Sequence, residues 1–356
     1  MFKRTMGIIV LGLCAGWLIA SNPETQGNRD KELLIVEPQA VPVEGTFRAL
    51  RVLSSSVAWA SGSRGSVCLT IDGGRSWSAL RVPGGENLDF RSLAAFDAER
   101  ALVASVGSPG FIFKTNDGGK NWKAVYQNDH PSFFIDDMAF WDDRHGLVLG
   151  DPMDSVFLFL ETVDGGDSWQ PMPKDCLPAP LAGEAFFAAS NGSMILREKS
   201  LVWIASGGGE TARVFISRDG GRAFKTVVVP VSAGRATRGI FGIAFRSAGE
   251  GLAVGGDYKE MDFRDAVAAA TLDGGESWRP LSTPGISGFR ESAAFVPGRP
   301  DVLAVGPGGA DYSADGGRTW RPFPLDGCHV VAFAPDGSCG WAARNKGKIV
   351  RLRIAR

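Results

Sequence analysis

One short phrase recurs six times in the chain, and no other feature constrains the fold as strongly. It reads Thr-Ile-Asp-Gly-Gly-Arg-Ser-Trp from Thr70 to Trp77 and Thr-Asn-Asp-Gly-Gly-Lys-Asn-Trp from Thr115 to Trp122. It returns from Thr162 to Trp169, Ser217 to Phe224, Thr271 to Trp278 and Ser313 to Trp320. The aspartates are 45, 47, 55, 54 and 42 residues apart. A period of roughly 40–50 residues holding several short strands is the signature of propeller blades.

Each phrase lies between two strand-like runs, such as Gly110 to Lys114 and Trp122 to Tyr126. The Asp-Gly-Gly core signals a hairpin turn, because glycine takes positive φ where a side chain would clash. The carboxylate can accept bonds from turn N–H groups, and the hydroxyl two residues earlier can do the same. The closing Trp or Phe is an apolar body that can wedge between blades. Turn stabilisation accounts for every position of the motif. The calcium-loop pattern fails, because no Glu stands at its twelfth position.

The units run about 47–80, 90–125, 135–172, 184–227, 239–281 and 289–323, each divisible into strands A to D. A seventh stretch offers three strands and no box: His329 to Phe333, Gly340 to Ala343 and Lys348 to Arg353. The unassigned apolar run Leu33 to Glu37 supplies the missing strand. The expected fold is therefore all-β, a single seven-bladed propeller over 33–356, closed by an N-terminal strand that completes the last blade. Closure removes the exposed edges of an open sheet.

Lys3 and Arg4 precede an apolar run from Met6 to Ala20, followed by polar residues. This pattern predicts a signal peptide over 1–21, a polar linker over 22–32, and export to the periplasm or cell envelope. An uncleaved anchor would be the one route to the membrane. A lipid on Cys14 is disfavoured, because Leu13 stands where a small residue belongs. The formal net charge of −1 gives no field to steer the chain toward nucleic acid. Cys328 and Cys339 flank one hairpin, but simple register does not set them opposite each other; buried thiols are expected rather than disulfides.

In this layout the D–A and B–C loops share the rim opposite the boxes. Aligning the A strands on their last large apolar residue puts Arg48, Arg91, Ile135, Glu184, Ile240, Arg290 and Cys328 at one level. Asp136, Glu291 and His329 lie one residue deeper. Three arginines and several carboxylates are thus expected to converge at the channel mouth, where guanidinium forks suit carboxylates. Long B–C loops bring Asp151, Arg213 and Asp257 to the same rim. The expected binding set is Arg48, Arg91, Arg290, Glu184, Asp136, Asp151, Arg213 and Asp257.

Catalysis finds weaker support. Three histidines do not make a histidine-rich metal site, and neither a Gly-x-Ser-x-Gly elbow nor a dinucleotide fingerprint is present. No cofactor and no metal are expected. The one enzymatic alternative is a glycoside hydrolase of sialidase type using Tyr258, Glu184 and Asp136. Its Arg-Ile-Pro signature is missing, since the first strand reads Phe47-Arg-Ala-Leu.

The repeated phrases match the Asp-box, or BNR, repeat of sialidases, xyloglucanases and photosystem II assembly factors. Across the region after the signal, the chain resembles the Ycf48/Hcf136-like photosystem II stability and assembly factor family. The resemblance rests on the boxes with a double glycine and on Gly150-Asp-Pro, Gly183 to Ser190, Gly239 to Phe245, Gly255 to Tyr258 and Val305 to Gly309. It implies an exported, non-catalytic propeller that binds protein subunits during membrane-complex assembly, with the boxes on the face away from the functional one. An acidic peptide segment is the partner that an arginine-bearing rim would suit.

Overall fold

The computed structural model describes residues 34–281, 285–325 and 327–355. The expected signal peptide, its Cys14 and the linker lie outside these. Among the described residues the regular structure is entirely β, in seven four-stranded antiparallel sheets.

Blade one consists of β2 (Phe47–Val52), β3 (Ala58–Gly62), β4 (Val67–Thr70) and β5 (Ser78–Leu80); blade two of β6 (Phe90–Ala95), β7 (Arg100–Ser105), β8 (Gly110–Asn116) and β9 (Lys123–Asn128). Blade three is β10 (Ile135–Phe140), β11 (Gly146–Met153), β12 (Val156–Thr162) and β13 (Gln170–Pro171). Blade four is β14 (Met194–Arg197), β15 (Leu201–Ala205), β16 (Arg213–Ser217) and β17 (Lys225–Val228). Blade five is β18 (Arg238–Phe245), β19 (Gly251–Asp257), β20 (Ala268–Thr271) and β21 (Arg279–Pro280). Blade six is β22 (Ser292–Phe295), β23 (Val302–Gly306), β24 (Gly309–Ser313) and β25 (Arg321–Phe323).

Blade seven takes β26 (Cys328–Phe333), β27 (Cys339–Arg344) and β28 (Ile349–Ile354) from the end of the chain and β1 (Leu34–Gln39) from its start. The ladder from Leu34↔Ile354 to Gln39↔Ile349 closes the ring as the sequence implied.

Every box folds alike. In the first, Thr70 Oγ1 donates to Asp72 Oδ1 at 3.0 Å and accepts the Gly74 N–H at 2.9 Å. Asp72 in turn accepts the Ser76 N–H at 3.0 Å and its hydroxyl at 2.6 Å. Gly73 and Gly74 sit at φ 77° and 82°, so the double glycine is a backbone requirement.

The closing aromatic packs on the preceding blade. Trp169 joins Ala94 and Leu102 of blade two, Trp320 joins Leu252 and Val254 of blade five, and Trp77 joins Val330 and Trp341 of blade seven. Each blade-to-blade interface thereby holds its own apolar cluster, and the hydrophobic stabilisation is spread around the ring.

Blade four departs from the expected layout. Its innermost strand is β14, beginning at Met194 and not near Glu184. The apolar stretch Glu184 to Ser190 reads like a strand but joins no ladder, forming one isolated bridge, Ala185↔Gly207, while Gly207 in turn bridges Gly239. It crosses the channel instead. The cysteine expectation holds in its geometry: Cys328 stands opposite Arg344, and Cys339 opposite Arg353.

Candidate functional site at the channel mouth

One irregularity builds the site. In five blades the ladder between the innermost strand and its neighbour skips one residue: Arg48, Arg91, Asp136, Phe241 and His329. A bulge leaves its extra residue unpaired and re-aims the side chain. All five line a cavity of roughly 590 Å³ at the mouth, and Glu291, in the same position just ahead of β22, is the sixth.

The level predicted from sequence thus matches Arg48 and Arg91, is one residue out in blades three, five, six and seven, and has no counterpart at Glu184 in blade four. The residue before each bulge faces the core between blades. That position holds Phe47, Phe90, Ile135, Ile240 and Cys328, all fully buried.

Arg290 occupies this core position in blade six and does not reach the mouth. Its guanidinium is 2% exposed, lies 2.6 Å from Asp311 Oδ2, and donates to Ser287 Oγ and the Phe289 carbonyl, each at 2.7 Å. Three further members of the expected binding set are also engaged internally. Arg213 forks onto Glu184, whose Oε1 accepts Arg213 Nε at 2.8 Å and the Ser206 hydroxyl at 2.6 Å. Asp257 is buried and accepts Arg238 Nε at 2.9 Å. With Glu184 locked behind Arg213, the trio Tyr258, Glu184 and Asp136 does not assemble as a catalytic set.

The segment expected to be the blade-four inner strand forms the cavity floor. Ser190 Oγ donates to the Glu291 carbonyl of blade six at 2.8 Å, and the Gly192 carbonyl accepts the Ile243 N–H of blade five at 2.9 Å. Asn191, at φ 53°, accepts the Leu93 N–H of blade two and donates to Asp137 and the Met138 carbonyl of blade three. Asp137 also accepts the Met194 N–H at 2.8 Å. Residues 185–193 therefore tie four blades together and stop the channel below Ala188 and Ala189.

The walls divide by polarity. On one side Arg48 reaches Glu291 at 3.2 Å across the channel, and His329 Nδ1 meets the same carboxylate at 2.6 Å while its Nε2 meets Asn345 Oδ1 at 2.6 Å. On the other, Phe187 stacks on Phe241 at 3.9 Å, Phe289 meets Phe241 edge-on at 4.7 Å, and Tyr258 does so at 6.1 Å. Arg91 stands between the two sides and is paired with Asp89 at 2.8 Å.

Asp136 and Asp151 share this cavity. Burial, reinforced by the charges of Asp151 and Asp137, pushes the Asp136 carboxyl well above the usual range; the nearby Ala188 amide and the Arg91 charge only partly oppose this. Neither Asp136 oxygen has a hydrogen-bond partner. Burial raises Asp151 to about 6, although its Oδ1 accepts the Phe186 N–H at 3.0 Å. Perturbed carboxyls in a cleft mark functional ground. Sequence reasoning placed Phe241, Glu291 and His329 one residue deeper without including them in the binding set, and missed Phe187 and Asn345; the paired Phe186-Phe187 was the available signal. Among the described residues no cluster of three or more His, Cys, Asp or Glu could hold a metal ion.

Residues 32–131 match the family model described as photosynthesis system II assembly factor YCF48. Over those residues the chain resembles that family. A solved structure of YCF48 bound to D1 peptide is 18% identical, with a TM-score of 0.64 over 90% of this chain and 97% of that one. YCF48 from Cyanidioschyzon merolae is 17% identical, with a TM-score of 0.64 over 89% and 98%. The GH74 xyloglucanase from Xanthomonas campestris is 16% identical, with a TM-score of 0.61 over 89% of this chain and 53% of the enzyme. At such identities the likeness is one of fold. No curated protein matches the sequence significantly.

Proposed function

We propose that this is an exported, non-catalytic propeller of the cell envelope that captures a segment of a protein partner at its channel mouth, as a scaffold for assembling a membrane complex. The observation that carries this reading is the floored cavity, apolar and aromatic on one side and bearing Arg48 and Arg91 on the other. Aromatic rings anchor the side chains of an extended segment, and the partly exposed guanidinium edges are placed to meet its carboxylates. A relative of the same fold has been solved with a D1 peptide, which supports a peptide as the ligand class.

The test is capture from the cell envelope by the tagged full chain beside an Arg48→Ala/Arg91→Ala version. Loss of two charge-assisted contacts predicts about tenfold weaker capture or less. Equal capture by both versions would remove the arginines from the site. A second reading, glycan hydrolysis, draws on the two cavity carboxylates and the xyloglucanase neighbour. Turnover of xyloglucan or a sialoside that Asp136→Asn abolishes would put that reading in place of the first.

A further inference from the structure

Charge is matched on one side of the cavity and left over on the other. Arg48 is taken by Glu291, and Arg91 by Asp89. Asp136 is fully buried beside the cavity, with both oxygens unpartnered, and Asp151 faces the same space. A buried carboxyl without a partner is costly, and such groups are rare in native interiors. Here the orphan group lies just behind the wall of a space large enough for several side chains, with the part-exposed Asp151 on that wall.

We propose that Asp136 and Asp151 form the receiving end of a subsite for a cationic side chain, a lysine or arginine carried on the captured peptide. The inference rests on the peptide reading above and specifies its chemistry. A primary ammonium reaching the pair supplies the donors that Asp136 lacks and balances the charge of one ionised carboxylate. The stacked Phe187 and Phe241 rings, with Tyr258 at their edge, give the aliphatic stem an apolar wall and the charge a π-face. Asp136, which burial favours in its neutral form, and Asp151, which is protonated below about pH 6, are ionised by the incoming cation, so binding releases protons and strengthens as pH rises.

The groups facing the pair fix the sign of that dependence. Asp137 adds like charge from the neighbouring position on β10, and Arg91 opposes it from β6. Across the cavity Glu291 and Arg48 hold each other, with His329 on Glu291, and Tyr258 lies beyond Phe241. The carboxyl pair is therefore the part of the wall whose charge a cation changes most.

Titration calorimetry of the full chain with the blocked peptide acetyl-Ala-Phe-Lys-Phe-Ala-amide and its norleucine analogue decides the matter. The lysine peptide is expected to bind about tenfold tighter or better. Its binding should release protons and weaken from about pH 8 to about pH 5. Asp136→Asn and Asp151→Asn should each bring the lysine peptide toward the norleucine affinity and leave the norleucine peptide unchanged. The two variants sit on different elements, so loss of folding in one leaves the other informative.

Equal affinity of the two peptides overturns the cation subsite while leaving the peptide reading intact. A lysine preference that survives both variants, or no binding of either peptide, overturns it as well. The Arg48/Arg91 capture experiment judges the broader reading independently.

Discussion

The two rims of this propeller use the same residue type in opposite ways. On one rim Asp72, Asp164 and Asp273 each close a box, and hydrogen bonds from the box hydroxyls and amides hold their carboxyls down at about 2. On the other, Asp151 is raised to about 6 and Asp136 further above its usual range, chiefly by burial. The first rim repeats one solution around the ring, with each box aspartate hydrogen-bonded to its turn. The second places a different residue at each bulge and leaves an orphan carboxyl among them. Uniform, satisfied positions serve the fold, and heterogeneous, strained ones mark where a ligand acts.

The largest test of this contrast lies at the position where the mouth lost an arginine. Arg290→Met removes one partner of a buried pair and leaves Asp311 charged in the core, a cost of about 3–5 kcal/mol in chemical denaturation. Adding Asp311→Leu should recover most of it, because the other blades carry Phe47, Phe90, Ile135 or Ile240 at the position of Arg290. If the single change cost little, Arg290 would not be a core residue, and its place at the mouth would have to be reconsidered.

A second test separates the rims by pH. Box aspartates have depressed values, so their contribution is present above about pH 4 and lost as pH falls toward about 2. Asp151 has a raised value, so its protonated form favours the fold below about pH 4, and that contribution is lost as pH rises through about 6. Asp151→Asn should therefore match the parent near pH 4 and exceed it by about 2–3 kcal/mol near pH 8. Parallel stability curves for the two proteins would contradict the buried carboxyl pair.

These differences also explain what could be read from the chain. The ring, its seven blades and its closing strand were legible, because each box is a local device whose Asp, Gly and Trp act within one turn and one interface. The mouth was only partly legible. Arg48, Arg91, Asp136 and Asp151 were found, but a bulge shifts the inward-facing residue by one, and periodicity of two cannot register an extra residue. Arg290 misled because its partner Asp311 is 21 residues away on β24. Glu184 to Ser190 misled because a segment crossing a closed channel is as apolar as a strand within a blade. Its anchors, Ser190, Asn191 and Gly192, bond to four different blades that the sequence does not place beside them.

The smallest effects test whether box turns act independently while cavity carboxyls act together. Thr70→Val removes the hydroxyl that accepts the Gly74 N–H and donates to Asp72, and should cost about 1 kcal/mol. Thr162→Val removes the same bonds two blades away, to Gly166 and Asp164. The two share no partner, so the double variant should lose the sum of the single effects to within about 0.5 kcal/mol. Asp136→Asn and Asp151→Asn should not add, because the Asp151 charge contributes to the rise at Asp136, and removing either group relieves that repulsion. Denaturation of both double-mutant sets near pH 8 measures this directly. Additivity in both would reduce the cavity to a set of separate buried acids; coupling confined to the cavity would establish the carboxyl pair as one unit.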